Sequence, residues 1–184
     1  MNELDNPVWS SLRGRQRALG RVAGRACRFD PEISPFGAFE GPPAPSDWDD
    51  MASLVGPGGT VAVVGPDDGA LDHPGGWTKG WESPGVQMVA DRGLVDPASR
   101  APSDGPGDPV VALGDEDVAD MLALVAEARP GPFLSRTIEF GGYLGVRHQG
   151  RLVAMAGERL RPAGWAEISA VATHPGHRRR GLAG

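Results

Sequence analysis

The run Val171 to Gly184, V-A-T-H-P-G-H-R-R-R-G-L-A-G, is the part of the chain whose residue types and spacing could do chemistry. A helix start leaves its first backbone N–H groups without intrahelical partners and carries a partial positive charge. Placed after a strand and lined with glycine, such a start lets the main chain approach a pyrophosphate closely. Between Arg178 and Ala183, Gly181 permits that approach and Ala183 keeps the turn small, while Arg178, Arg179 and Arg180 add charge at its mouth. Pro175 ends strand pairing just before the loop, because it has no N–H to give a ladder. His174 and His177 stand three apart and raise the question of a metal. The same run offers no acidic or Cys ligand and sets arginines beside them, so we read no metal site there.

The elements that must position this run are legible upstream. Val110 to Leu113 reads as a strand, and Asp115 as the cap of a helix whose Val118, Met121, Leu122 and Val125 form a core-facing stripe. Pro130-Gly131-Pro132 stops it. Tyr143 to His148 and Leu152 to Leu160 flank Gln149-Gly150, a hairpin signal. Arg161 to Gly164 turns into a third strand, Trp165 to Thr173. Tyr143 is the sole tyrosine and reads as a strand or core residue.

The first part is organised differently. Asn6-Pro7 is a helix entry, and beyond it Arg17, Arg21, Arg25 and Arg28 fall on one face of a helical projection. We read that face as solvated rather than as a phosphate or nucleic-acid surface, although Gly20 and Gly24 weaken the helix and part of 22–29 could be strand. The stretch from Phe29 to Pro45 reads as loop, and Ser46 as the cap of a helix ended by G-P-G-G at 56–59. That G-P-G-G lacks the Lys-Ser/Thr of a P-loop and precedes a strand, Thr60 to Val64. Trp77 to Glu82 and Val86 to Ala90 are further strand candidates. Asp96 to Pro109 has no apolar periodicity and reads as a linker, dividing the chain into 1–95, 96–109 and 110–184.

Composition bounds the function. Gly 28 and Pro 18 make up a quarter of the 184 residues, which points to ordered modules joined by long loops. A net charge of -6 and a pI near 5.2 argue against a nucleic-acid partner. Cys27 is the one cysteine, so no intramolecular disulfide can form. No apolar run approaches a membrane span, and we expect a cytoplasmic protein.

The motif V-x-T-x-P followed by R-x-x-G-x-A resembles the coenzyme A loop of the GNAT family of N-acetyltransferases. The strand–helix–three-strand order from about 110 resembles the first half of that domain. The stretch Arg136 to Val171, preceded by P-G-P-F-L-S-R-T, resembles the two-part members with a divergent N-terminal half. The resemblance implies an α+β, acyl-CoA N-acyltransferase fold with a mixed, mostly antiparallel sheet and flanking helices. It implies that acetyl-CoA is co-substrate and an amine the acceptor, with no metal. The backbone of Arg178, Arg179, Arg180, Gly181, Leu182 and Ala183 would take the pyrophosphate. The main chain of Val171 and Thr173 would pair with the pantetheine arm, and Val171 N–H would polarise the thioester carbonyl.

Acyl transfer to an amine needs a base, and the family often takes a Glu on this strand. Glu167 is the candidate, on the same face as Ser169, Val171 and Thr173 by period-two alternation. A partner for a nearby Arg such as Arg159 is the alternative role, and Glu158 is a weaker second candidate. The run of 184 residues ends in what should be the first turn of the loop's helix, so the expectation is a domain incomplete at its C-terminus with weak or no turnover. A non-catalytic acyl-CoA-binding module is the other reading.

Overall fold

The computed structural model describes residues 2–65, 71–90 and 108–182. They form two four-stranded sheets with strand orders β1-β2-β3-β4 and β5-β6-β7-β8. In the first, α1 (Pro7–Arg13) precedes the hairpin β1 (Gly20–Ala23) and β2 (Ala26–Phe29), followed by β3 (Phe36–Phe39). Helix α2 (Pro45–Val55) then crosses to β4 (Ala62–Val63), which pairs parallel to β3. In the second sheet all pairings are antiparallel: β5 (Val110–Ala112), then α3 (Val118–Ala128), then β6 (Leu144–His148), β7 (Arg151–Glu158) and β8 (Ile168–Thr173). No helix among the described residues is long and apolar enough to cross a membrane.

Local chemistry explains most element ends. Asn6 accepts a hydrogen bond from Trp9 N–H and sets Pro7 at the first helical position of α1. Gly56 closes α2 at φ 77, a conformation that glycine adopts without steric cost. The β6–β7 turn has positive φ at both Gln149 and Gly150, the geometry that matches strand twist.

Several expectations are corrected. The arginine face of 17–28 is no helix: Gly24 at φ 47 turns β1 into β2, and Arg21 pairs directly with Arg28. The arginines then meet separate fates that a helical projection hides. Arg28 is buried, its guanidinium reaching toward the Leu54 and Thr60 carbonyls at the end of α2, while Arg25 pairs with Glu40 and Asp47. The proline-rich stretch 29–45 holds β3 after all. Helix α2 is capped by Asp47, whose carboxylate accepts from Ala44 N–H at 2.8 Å, rather than by Ser46. Likewise Asp117, not Asp115, takes the Gly114 N–H ahead of α3. Residues 77–82 and 86–90 form no strand: Gly80 interrupts the first, Pro84-Gly85 separates the two, and neither has a ladder partner among the described residues. The linker expected at 96–109 falls mostly outside the described residues.

One core joins the two sheets. Val8, Leu12, Cys27, Phe29 and Ile33 lie in the same buried cluster as Met121, Leu124, Phe140, Tyr143 and Met155. Phe29 meets Phe140 edge-on at 5.1 Å. Polar ties run across the same boundary: Thr137 Oγ1 donates to Ile33 O at 2.7 Å, and Arg136 pairs with Asp30 at 2.9 Å.

Asp30, in one of these joints, and Asp117, ahead of α3, carry a pH consequence. The Gly114 N–H, and then the Arg147 guanidinium, hold the Asp117 carboxyl below its ordinary range. The Glu32 N–H, with Arg136 adding to it, does the same for Asp30. A carboxyl depressed in the folded state contributes stability that is present above the unfolded value, about 3.9, and lost as pH falls through the folded one. The urea midpoint should therefore fall below about pH 4, and less steeply in Asp117→Asn than in the wild type. Equal slopes in the two proteins would remove Asp117 from the acid limb.

Candidate functional site

The site is built on the last two strands. Register runs Ala154↔Thr173 and Met155↔Ala172, then resumes at Gly157↔Ser169 and Glu158↔Ile168. Ala170 and Val171 thus stand together opposite Ala156, a β-bulge, with Ala170 at φ 50. A bulge leaves one residue's main chain outside the ladder and bends the strand. It also breaks alternation. Ser169 and Ala172 face β7 residues two apart, so they share a face, and Glu167 shares it with them. The expected common face of Glu167, Val171 and Thr173 is therefore corrected: the extra residue moves Val171 and Thr173 out of phase with Glu167.

Beyond Ile168 the pairing continues irregularly, with Arg159 N–H donating to Glu167 O at 2.9 Å and Glu167 N–H to Leu160 O at 2.8 Å. This brings the side chains of Arg159 and Glu167 together. Arg159 Nε donates to Glu167 Oε2 at 3.0 Å and Nη2 to Oε1 at 2.5 Å, the two-pronged arrangement that suits guanidinium and carboxylate. Both side chains keep solvent contact, 24% exposed for Arg159 and 36% for Glu167. The guanidinium lies 4.9 Å over the Phe36 ring, a cation–π contact from the first sheet. The first sheet's unit also grips the chain here. Gln16 donates to Arg159 O at 2.6 Å, and both Gln16 Oε1 and Ser11 Oγ accept from Arg161 N–H at 3.1 Å. Glu158 is paired with Arg161.

Tyr143 lies beneath this pair. Its ring occupies the space that a side chain at Gly157 would need, which explains the glycine. The hydroxyl approaches Thr137 O at 3.4 Å, and burial pushes the phenol up to about 12 against a smaller opposing effect of Arg159. The residue packs and does not titrate near neutrality.

At the other end of β8, His174 N–H donates to Val153 O at 2.8 Å and a single 3-10 turn, Pro175–His177, follows. His174 Nδ1 accepts from Gly176 N–H at 3.1 Å, and its Nε2 meets Glu127 at 2.8 Å. His148 packs its ring 5.1 Å from His177. Desolvation, then Arg180 and the neighbouring His148, His174 and Arg151, lower the His177 pKa. Arg178 to Leu182 form turns, with positive φ at Arg179 (64°) and Gly181 (75°). The N–H groups of Arg179, Arg180, Gly181 and Leu182 find no acceptor among the described residues, so this stretch presents unpaired donors beside exposed arginines. Leu182 folds back against Val146, Val153 and Ala154, anchoring the loop on the sheet. Ala183 lies outside the described residues.

Sequence reasoning named the loop and Glu167 as candidates, and the Arg159 partnership it weighed for Glu167 is present in the structure. It missed Phe36 and Gln16, which come from a different sheet and carry no local signal. It also missed that His148 joins His174 and His177, which needs β6 and β8 both paired alongside β7.

A family model described as FR47-like protein matches residues 143–184. The crystal structure of a protein assigned to the GNAT family of acetyltransferases, from Novosphingobium aromaticivorans DSM 12444, is 34% identical and superposes with a TM-score of 0.65, covering 100% of this chain and 76% of that one. A protein assigned as an acetyltransferase from Pyrococcus horikoshii is 18% identical over 43% of this chain and 31% of that one, with a TM-score of 0.37, too slight to define a fold. No curated protein matches the sequence. Strand order, flanking helices and the first superposition together define a GNAT-type α+β fold. The chain belongs to the GNAT family of N-acetyltransferases.

Proposed function

We propose that the chain binds acetyl-CoA and transfers its acetyl group to a primary amine by direct attack. The observation that carries this reading is the bulge at Ala170–Val171, set directly ahead of a loop with unpaired N–H donors and positive φ at Arg179 and Gly181. Acetyl-CoA supplies the activated thioester. The backbone of Arg178 to Ala183 holds its pyrophosphate, and the main chain of Val171 and Thr173 pairs with its pantetheine arm. Val171 N–H, at the bulge, donates to the thioester oxygen as negative charge develops there, a role worth about 3 kcal/mol for one donor. Glu167 takes a proton from the acceptor ammonium, directly or through water. The freed nitrogen attacks the carbonyl carbon, the C–S bond breaks, and the departing thiolate takes up the proton that the new amide nitrogen gives away.

Calorimetry with coenzyme A tests the loop. Gly181→Val leaves room for its side chain, since nothing lies within 4 Å, but forces it to a positive φ. The exposed turn should lose about 1–2 kcal/mol at most, while coenzyme A affinity drops at least about tenfold, or about 1.4 kcal/mol. Unchanged affinity would remove the loop from the binding site.

The bidentate hold of Arg159 on Glu167 favours one second reading, an acyl-CoA-binding module without turnover. Binding of acetyl-CoA with no amine-dependent thiol release would select it.

A further inference from the structure

The Arg159–Glu167 pair ties the end of β7 to the start of β8, the strand that bears the bulge, with Glu167 four residues ahead of Val171. Both Glu167 oxygens are held by the Arg159 guanidinium, so an incoming ammonium must compete with that fork for them. We propose that the acceptor is an α-amino acid, or a small amine with a carboxylate on the same carbon, and that it binds by exchanging this ion pair. Arg159 turns its fork to the acceptor's carboxylate, and Glu167 receives the ammonium. This deepens the acetyl-transfer reading and rests on it.

Four features support the exchange. Arg159 is held independently of Glu167, by the Phe36 ring under its guanidinium and by Gln16 on its carbonyl, so the cation stays in place when its partner changes. The guanidinium fork matches a carboxylate in two parallel bonds, a geometry that lysine could not offer. The pair is partly exposed rather than sealed, so a solute can reach both ends. The neighbouring cation Arg161 is already paired with Glu158, leaving Arg159 as the group free to trade. An α-amino acid carries its two charges one carbon apart and replaces each member of the pair with a like charge, so no ion loses its counter-ion. A plain amine would have to draw Glu167 away and leave Arg159 unpaired in a partly desolvated place, which is costly.

The test uses the 184-residue chain saturated with coenzyme A and ligand pairs that differ only in the carboxylate, leucine against 3-methylbutylamine and lysine against cadaverine. Binding is read by saturation-transfer NMR and calorimetry. The amino acid should bind about 10- to 100-fold tighter than its amine, the worth of one hydrogen-bonded charged group. Arg159→Gln should erase that preference while leaving amine affinity equal or higher, since it frees Glu167. Glu167→Gln, which keeps Arg159, should instead gain affinity for 4-methylpentanoate, a carboxylate with no amine. Thermal melts of both variants confirm folding. Equal binding of amine and amino acid, no binding of either, or a preference that survives Arg159→Gln each overturns the proposal. Coenzyme A affinity is measured in the same samples, and thiol release from acetyl-CoA with plain amines in parallel ones. If those persist while the preference is absent, the exchange fails and acetyl transfer stands.

Discussion

Replacing Phe29 with Ala is expected to cost about 3–5 kcal/mol and to weaken both sheets at once. Phe29 is fully buried in β2 and packs edge-on against Phe140, which belongs to the segment leading into β6. Its removal opens a cavity at the seam between the sheets rather than inside one of them. Cys27, two residues away, is a ready reporter. Burial pushes its thiol up to about 12, against smaller opposing effects of an Ala38 backbone bond and Arg13, so the native protein should not react with iodoacetamide at neutral pH. Labelling then follows the open population and should rise about 10²- to 10⁴-fold in Phe29→Ala, by the factor of ten per about 1.4 kcal/mol. Hydrogen exchange completes the test. Amides of β7 should lose protection together with those of β2. Retained protection in β7 would show that the sheets are stable separately.

Glu167→Gln should lower kcat/KM for acetyl transfer by about 10²- to 10⁴-fold, the usual weight of a general base, with coenzyme A affinity unchanged. Gln fills the same space and can still accept one hydrogen bond from Arg159, so the strand keeps its register and the effect falls on proton transfer. Stopped assays of thiol release at saturating acetyl-CoA measure it. A variant that turns over at the wild-type rate would mean that water or another group takes the proton, and Glu167 would be reduced to an anchor for Arg159.

The second sheet was largely legible because its signals are local. Gln149-Gly150 announces a turn, Pro130-Gly131-Pro132 a helix end, and Val171 to Leu182 a loop, each within a few residues. The first sheet was legible only in part: its two helices, the strand near Thr60 to Val64 and strand character within 22–29 were read, while β1 and β3 were not. A helical projection of Arg17, Arg21, Arg25 and Arg28 lines them up well, yet the hairpin's ladder separates them, because turning at Gly24 and burying Cys27 and Phe29 outweighs a weak helical propensity. The bulge escaped for a related reason. Alternation is a rule for an unbroken ladder, and the residue that breaks it, Ala170, has no side-chain chemistry to betray it. Arg159's setting depended on Phe36 and Gln16, more than a hundred positions away in sequence, where no spacing rule reaches.

The extra residue at Ala170–Val171 has a consequence for how this protein can be altered. With Met155↔Ala172 and Gly157↔Ser169 fixed, deleting Ala170 would leave Val171 alone opposite Ala156 and every neighbouring pair as it is. The ladder would simply close. The deletion would also remove an alanine at φ 50, a conformation that costs about 1–2 kcal/mol. The shortened chain should therefore melt higher than its parent and, on the acetyl-transfer proposal, lose turnover, because the main-chain group proposed to meet the thioester would be drawn into the sheet. On that proposal durability and activity are opposed at a single backbone position, and selection for heat resistance alone favours closing the bulge.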